Sequence, residues 1–156
     1  MKIKLIYVGK TGKSFLEDGE NEYLKRLKRY VPFEIIELPD IKNTKKRSFN
    51  EIRYLEAESI LSKIQNNDFV ILLDEKGQQP TSKGFSEYLQ KKFNQAQDIV
   101  FVIGGPYGFD DKMYNRANDK ISLSNLTFSH QMIRMFFLEQ VYRALTILNN
   151  EPYHHE

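Results

Sequence analysis

Proton transfer, nucleophilic attack and metal binding each need particular side chains, and this sequence is sparing with them. It has no cysteine and only three histidines, His130, His154 and His155. Without thiols there are no disulfides, thiolate zinc sites or cysteine nucleophiles, which fits a reducing compartment. Three histidines, two of them adjacent, predict no metal site. Proton chemistry therefore falls to His130 and to the tail Pro152-Tyr153-His154-His155. His130 stands at the start of a long apolar helix, where it acts either as an ordinary surface group or as a polar group at a pocket mouth. In the tail, a tyrosine can stack on a base and a histidine can contact phosphate or exchange a proton near neutral pH. The plain alternative is a frayed terminus.

Two glycine-bearing segments and one hydroxyl-rich loop suggest binding. Gly9-Lys10-Thr11-Gly12-Lys13-Ser14 sits between a strand and a helix, as a phosphate-binding P-loop does. That loop needs a glycine five residues before its second glycine, and the position holds Tyr7. An ordinary turn is the better reading. Ile103-Gly104-Gly105-Pro106-Tyr107-Gly108 follows an apolar strand, where paired glycines let the backbone approach a ligand or simply make a tight turn. Ser122-Leu123-Ser124-Asn125-Leu126-Thr127-Phe128-Ser129 alternates small polar residues with Leu126 and Phe128, which suits a backbone-lined pocket with apolar walls for a flat ring.

The elements that must position these segments alternate. Strands are expected at Ile3–Val8, Phe33–Leu38, Phe69–Leu73, 99–104 and 121–123. Helices are expected over 14–30, 48–64 with Ser48 as cap, 82–93, 110–117 and 131–148. This pattern predicts an α/β fold, a mostly parallel sheet with helices on both faces, and ligands beyond the carboxyl ends of the strands. The loops after Leu73, Ile103 and Leu123 are thus the ones to watch. The last helix is apolar nearly all round, from Met132 and Ile133 to Leu145 and Leu148, which calls for burial on more than one side, in the core or at a subunit interface. Arg134, Glu139 and Arg143 interrupt it.

With 156 residues and 40% hydrophobic content, one domain spanning 1–156 is expected. Twenty-three basic against 21 acidic residues leave a net charge of +2, so any nucleic-acid surface must be local or built by assembly. The basic loop 40–47, with Lys42, Lys45, Lys46 and Arg47, is either solvated or an RNA contact. No apolar run is long enough for a membrane span, and the short apolar start lacks the features of a signal peptide, so a soluble cytoplasmic protein is expected.

Several segments carry a resemblance in their order and spacing: Leu72-Leu73-Asp74 with Gly77, Ile103-Gly104-Gly105-Pro106, Ser122-Leu123-Ser124 with Leu126-Thr127, Glu139-Gln140-Val141-Tyr142-Arg143-Ala144, and Pro152-Tyr153-His154. Over nearly the whole chain the sequence resembles the ribosomal RNA large subunit methyltransferase H family, SPOUT-class enzymes that methylate N3 of a pseudouridine in 23S rRNA. The resemblance implies a SPOUT-type α/β knot, with a deep trefoil knot near the C-terminus, and a homodimer acting on the ribosome. It also implies that Leu73, Gly104, Gly105, Leu123, Ser124, Asn125, Leu126, Thr127 and Phe128 hold S-adenosylmethionine. His130, Arg134, Tyr153 and His154 map to the substrate side. There, His154 or His130 would assist loss of the N3 proton, and Arg134 would stabilise the anion or orient a phosphate. A tRNA methyltransferase and a noncatalytic RNA-binding module are the competing readings.

Overall fold

Alternation within each strand builds two cores. In the computed structural model, which describes residues 1–155, β1 (Ile3–Val8) sends Ile3, Leu5 and Tyr7 to one face and Ile6 and Val8 to the other. In β4 (Ile99–Ile103), Ile99, Phe101 and Ile103 join the first cluster while Val100 and Val102 join the second. Every residue of β4 is buried, as expected of a central parallel strand covered on both faces. With β2 (Phe33–Leu38), β3 (Phe69–Gln78) and β5 (Asp119–Ile121), the strand order is β2-β1-β4-β3-β5, and each pairing is parallel. Glu156, the last residue of the expected 1–156 span, lies outside the described residues.

The first face carries α1 (Ser14–Leu27), α3 (Ser82–Phe93) and α5 (Met132–Leu148), and α5 packs against both of the others. Its Phe137, Leu138, Val141, Ala144 and Leu145 are buried against Phe101 and its neighbours, with the Phe101 and Phe137 rings 4.8 Å apart. The second face carries α2 (Phe49–Leu61) and α4 (Asp111–Arg116), which contribute Ala57, Ile60 and Met113. Local chemistry starts several helices. Ser48 caps α2 by accepting from the Glu51 N–H, Thr81 caps α3 from Gly84, and Asp110 caps α4 from Lys112.

Several boundaries differ from the sequence expectation, among them the end of α2 at Leu61 rather than 64. Helix α1 stops at Leu27, because residues 28–32 turn back so that Ile3 N–H bonds Pro32 O and β2 can pair with β1. Strand β5 lies two residues earlier than expected, since its register follows β3 rather than local hydrophobicity. The largest difference is β3, which runs past Leu73 to Gln78. Ile121 pairs with both Leu73 and Gln78, so residues 74–77 curl around β5. Gly77 permits that wrap, because a Cβ there would lie 2.6 Å from Ile121 N.

Candidate active site

The carboxyl ends of β3, β4 and β5 open onto a cavity of about 910 Å³. It is lined by Leu73–Lys76, by Ile103–Asp111, and by most of the segment from Ile121 to His130, closed at the sides by Asn50, Arg53, Tyr114 and Ile133. Leu73, Gly104, Gly105, Leu123, Ser124, Leu126, Thr127, Phe128 and His130 all face it, whereas Asn125 lies in the same loop but points to solvent rather than lining the cavity. The 122–128 loop is held by short-range bonds: Ser122 Oγ donates to Ser124 O at 2.8 Å, and Leu126 N–H donates to Ser124 Oγ at 3.0 Å. Gly108 N–H bonds Gly105 O at 3.1 Å, closing the turn around Pro106 and Tyr107. Tyr114 donates to Asp74, and burial together with this bond pushes its phenol well above the ordinary value.

Gly105 has a role that its sequence context did not reveal. A Cβ there would lie 2.5 Å from Glu56 Oε2, so the glycine makes room for a carboxyl on α2 behind the cavity wall. Glu56 is buried, its Oε1 has no hydrogen-bond partner, and burial with the nearby Asp40 charge lifts its pKa to about 7. Nothing marks Glu56 in the sequence except its place on the apolar stripe Ile52, Glu56, Ala57 and Ile60 of α2.

The four residues expected on the substrate side fall into two clusters. His130 lines the cavity, and its imidazole is held below its usual pKa by burial and by the Arg134 charge, with Asp40 opposing. Arg134 is buried at the end of β1. It is 1% exposed, its Nη1 donates to Gly9 O at 2.9 Å and Thr11 Oγ1 at 3.2 Å, and its Nη2 donates to Val8 O at 3.0 Å. Its guanidinium also lies 3.8 Å from the centre of the Tyr7 ring. Arg134 thus closes the end of β1 onto α5, with both terminal nitrogens donating to backbone carbonyls there.

Tyr153 and His154 fold back on α5. Tyr153 OH donates to Glu139 Oε1 at 3.0 Å, and its ring meets Tyr142 edge-on at 4.7 Å. Arg143 donates to Glu139 at 2.7 Å and lies 3.1 Å from His154 Nδ1. Arginine has no acceptor, so this contact uses the Nδ1 lone pair and leaves the proton of the neutral ring on Nε2. Glu139 and Arg143 form an i,i+4 ion pair, and their task of holding the tail was not legible in the sequence. Neither Tyr153 nor His154 lines the cavity of its own chain.

A parallel sheet with a glycine-walled cavity beyond its strand ends defines an α/β ligand-binding protein. The chain matches, over residues 1–154, the family described as "Predicted SPOUT methyltransferase". It is 54% identical to the ribosomal RNA large subunit methyltransferase H of Parabacteroides distasonis over the full length of both chains. It is 55% identical to that of Christiangramia forsetii over 99% of each chain, and 53% identical to that of Flavobacterium johnsoniae over the whole of both. The chain belongs to the SPOUT methyltransferases, in the ribosomal RNA large subunit methyltransferase H family.

Proposed function

We propose that this protein transfers the methyl group of S-adenosylmethionine to N3 of a pseudouridine in 23S rRNA of assembled ribosomes, as a cytoplasmic homodimer of one-domain chains. The observation that carries this reading is the cavity at the ends of β3, β4 and β5, together with relatives of the same length whose names specify large-subunit rRNA. Its volume and its mixed wall of Leu73, Ile103, Leu123, Leu126 and Phe128 with backbone polar groups suit a cofactor of this size. When bound, S-adenosylmethionine would supply an electrophilic methyl group on a sulfonium.

The chain's own residues must align donor and acceptor and remove a proton. N3 of pseudouridine carries a hydrogen at neutral pH, so its lone pair becomes available only as that proton leaves. His130 suits the task. It faces the cavity, and its depressed pKa keeps the ring neutral and able to accept. His154, held on α5 by Arg143, is the tail's candidate for contact with the acceptor nucleotide or its phosphate. Arg134 acts through the backbone of β1 as a positioning residue.

Two features support a homodimer in which one copy's tail completes the other's cavity. Leu126, Phe128 and Met132 form an exposed apolar surface at the start of α5, with Phe128 5.3 Å from Phe136. The tail residues also lie outside their own chain's cavity lining. A knotted C-terminal part accords with the curl of residues 74–77 around β5.

The test is incubation with labelled S-adenosylmethionine and ribosomes lacking the modification, then free 23S rRNA and tRNA, with the product nucleoside identified by mass spectrometry. N3-methylpseudouridine from ribosomes is expected, and His130→Ala should abolish it while keeping cofactor binding. Label confined to tRNA would overturn the substrate; full transfer by His130→Ala would overturn the base.

A further inference from the structure

Beside the cavity lies an aromatic pair that methyl transfer to a single base leaves without a task. Phe49, the first residue of α2, is 60% exposed, and Tyr107 in the glycine turn is 38% exposed. Their rings are stacked, 4.2 Å between centres and 16° apart in plane. Two aromatic rings paired in this way bury their inner faces and leave their outer faces in water.

The pair is anchored rather than loose. Arg53, one turn along α2, donates from Nη1 to Tyr107 O at 3.1 Å and also hydrogen-bonds Asn50. Asn50, Arg53 and Tyr107 line the donor cavity, whereas Phe49 does not. The pair therefore spans the cavity rim, with Tyr107 on the donor side and Phe49 outside.

The charge nearby identifies the kind of partner. The 3-10 turn Thr44–Lys46 ends three residues before Phe49, and Lys45 and Lys46 are exposed. Among the described residues neither forms an ion pair. Exposed cations close in sequence to an exposed aromatic face suit a polyanion whose bases are unstacked, which is single-stranded RNA. In a chain of net charge +2, such a local arrangement is the way to grip RNA.

We propose that the Phe49–Tyr107 pair is a stacking platform for an unpaired nucleotide that flanks the methyl acceptor in the RNA. This rests on the reading of the protein as an rRNA methyltransferase. The platform fixes the register of the strand so that only one base reaches the donor. Phe49, which does not line the donor cavity, gives RNA affinity without taking part in donor binding or proton transfer.

The experiment compares Phe49→Ala, Phe49→Leu and Phe49→Trp with the unaltered protein, using ribosomes that lack the modification as substrate and calorimetry for S-adenosylmethionine. Phe49 is exposed, so the variants should fold. For Ala and Leu the KM for ribosomes should rise on the order of tenfold, the scale of a lost base-aromatic stack. Their kcat at saturating ribosomes and their cofactor affinity should stay within about twofold, a change too small for a lost stack. Trp, which keeps a ring, should restore KM. An unchanged KM in Phe49→Ala, a Leu variant as good as the original, or a matching loss of cofactor affinity would each overturn the platform. If the unaltered protein transfers nothing to ribosomes, the functional reading falls and takes the platform with it. Transfer that is indifferent to residue 49 removes the platform alone.

Discussion

Glu56 places a carboxyl on the buried face of α2, against Gly105 and near Asp40, where water cannot stabilise its charge. Its pKa of about 7 in the folded chain lies above the ordinary value of 4.5. Between those values the folded state holds a proton that the unfolded state has released. The stability from this group is therefore complete below the unfolded value and disappears as pH rises through about 7. Glu56→Gln keeps the shape and cannot ionise. Relative to the native residue it should gain on the order of 2 kcal/mol between pH 5 and pH 8, measured by urea unfolding at both pH values. Parallel pH dependences in the two proteins would refute the account. The sequence displayed Glu56 on the apolar stripe of α2, but the partner that makes it consequential comes from a distant loop. Arg134 illustrates the same limit: its residue type suggested anion binding, and only its donation to the carbonyls of Val8 and Gly9 discloses a structural task.

At the scale of elements, the apolar runs located all five strands and five helices, because period-2 and period-3.6 patterns mark which side chains leave water. The end of β3 was not legible. Its apolar run stops at Leu73, and residues 74–78 are polar or glycine, so their extended pairing depends on β5 and on the wrap around Ile121. Gly77 is the tightest point of that wrap. Gly77→Ala should force a methyl group into the backbone of Lys120 and Ile121 and cost about 2–3 kcal/mol, seen as a lower urea midpoint with an unchanged slope. A neutral Gly77→Ala would mean that the two segments lie further apart than described.

For the whole molecule, the separation of His130 in the cavity from Tyr153 and His154 on α5 makes a prediction about assembly. If the tail acts on the partner's cavity, His130→Ala and His154→Ala are each inactive alone but complement in mixed dimers. Each mixed dimer then holds one cavity with both histidines intact. With random pairing, an equal mixture should recover about a quarter of the native rate, read as methyl incorporation after the chains exchange. No recovery despite proven exchange would show that each tail serves its own chain.

By itself the sequence determined the strand and helix alternation, the three strand ends where the cavity opens and, through Gly104-Gly105 and the 122–128 loop, most of the cavity wall. These are properties of local pattern, since periodicity and glycine placement are written along the chain. Only the tertiary structure decided that Arg134 is a strut, that Glu56 stands behind Gly105, that Arg143 holds His154, and that Phe49 stacks on Tyr107. All but the Arg143–His154 contact, which spans 11 residues, join segments far apart in sequence. The energy of each depends on burial and on the direction of hydrogen bonds, which one residue's type and spacing do not specify.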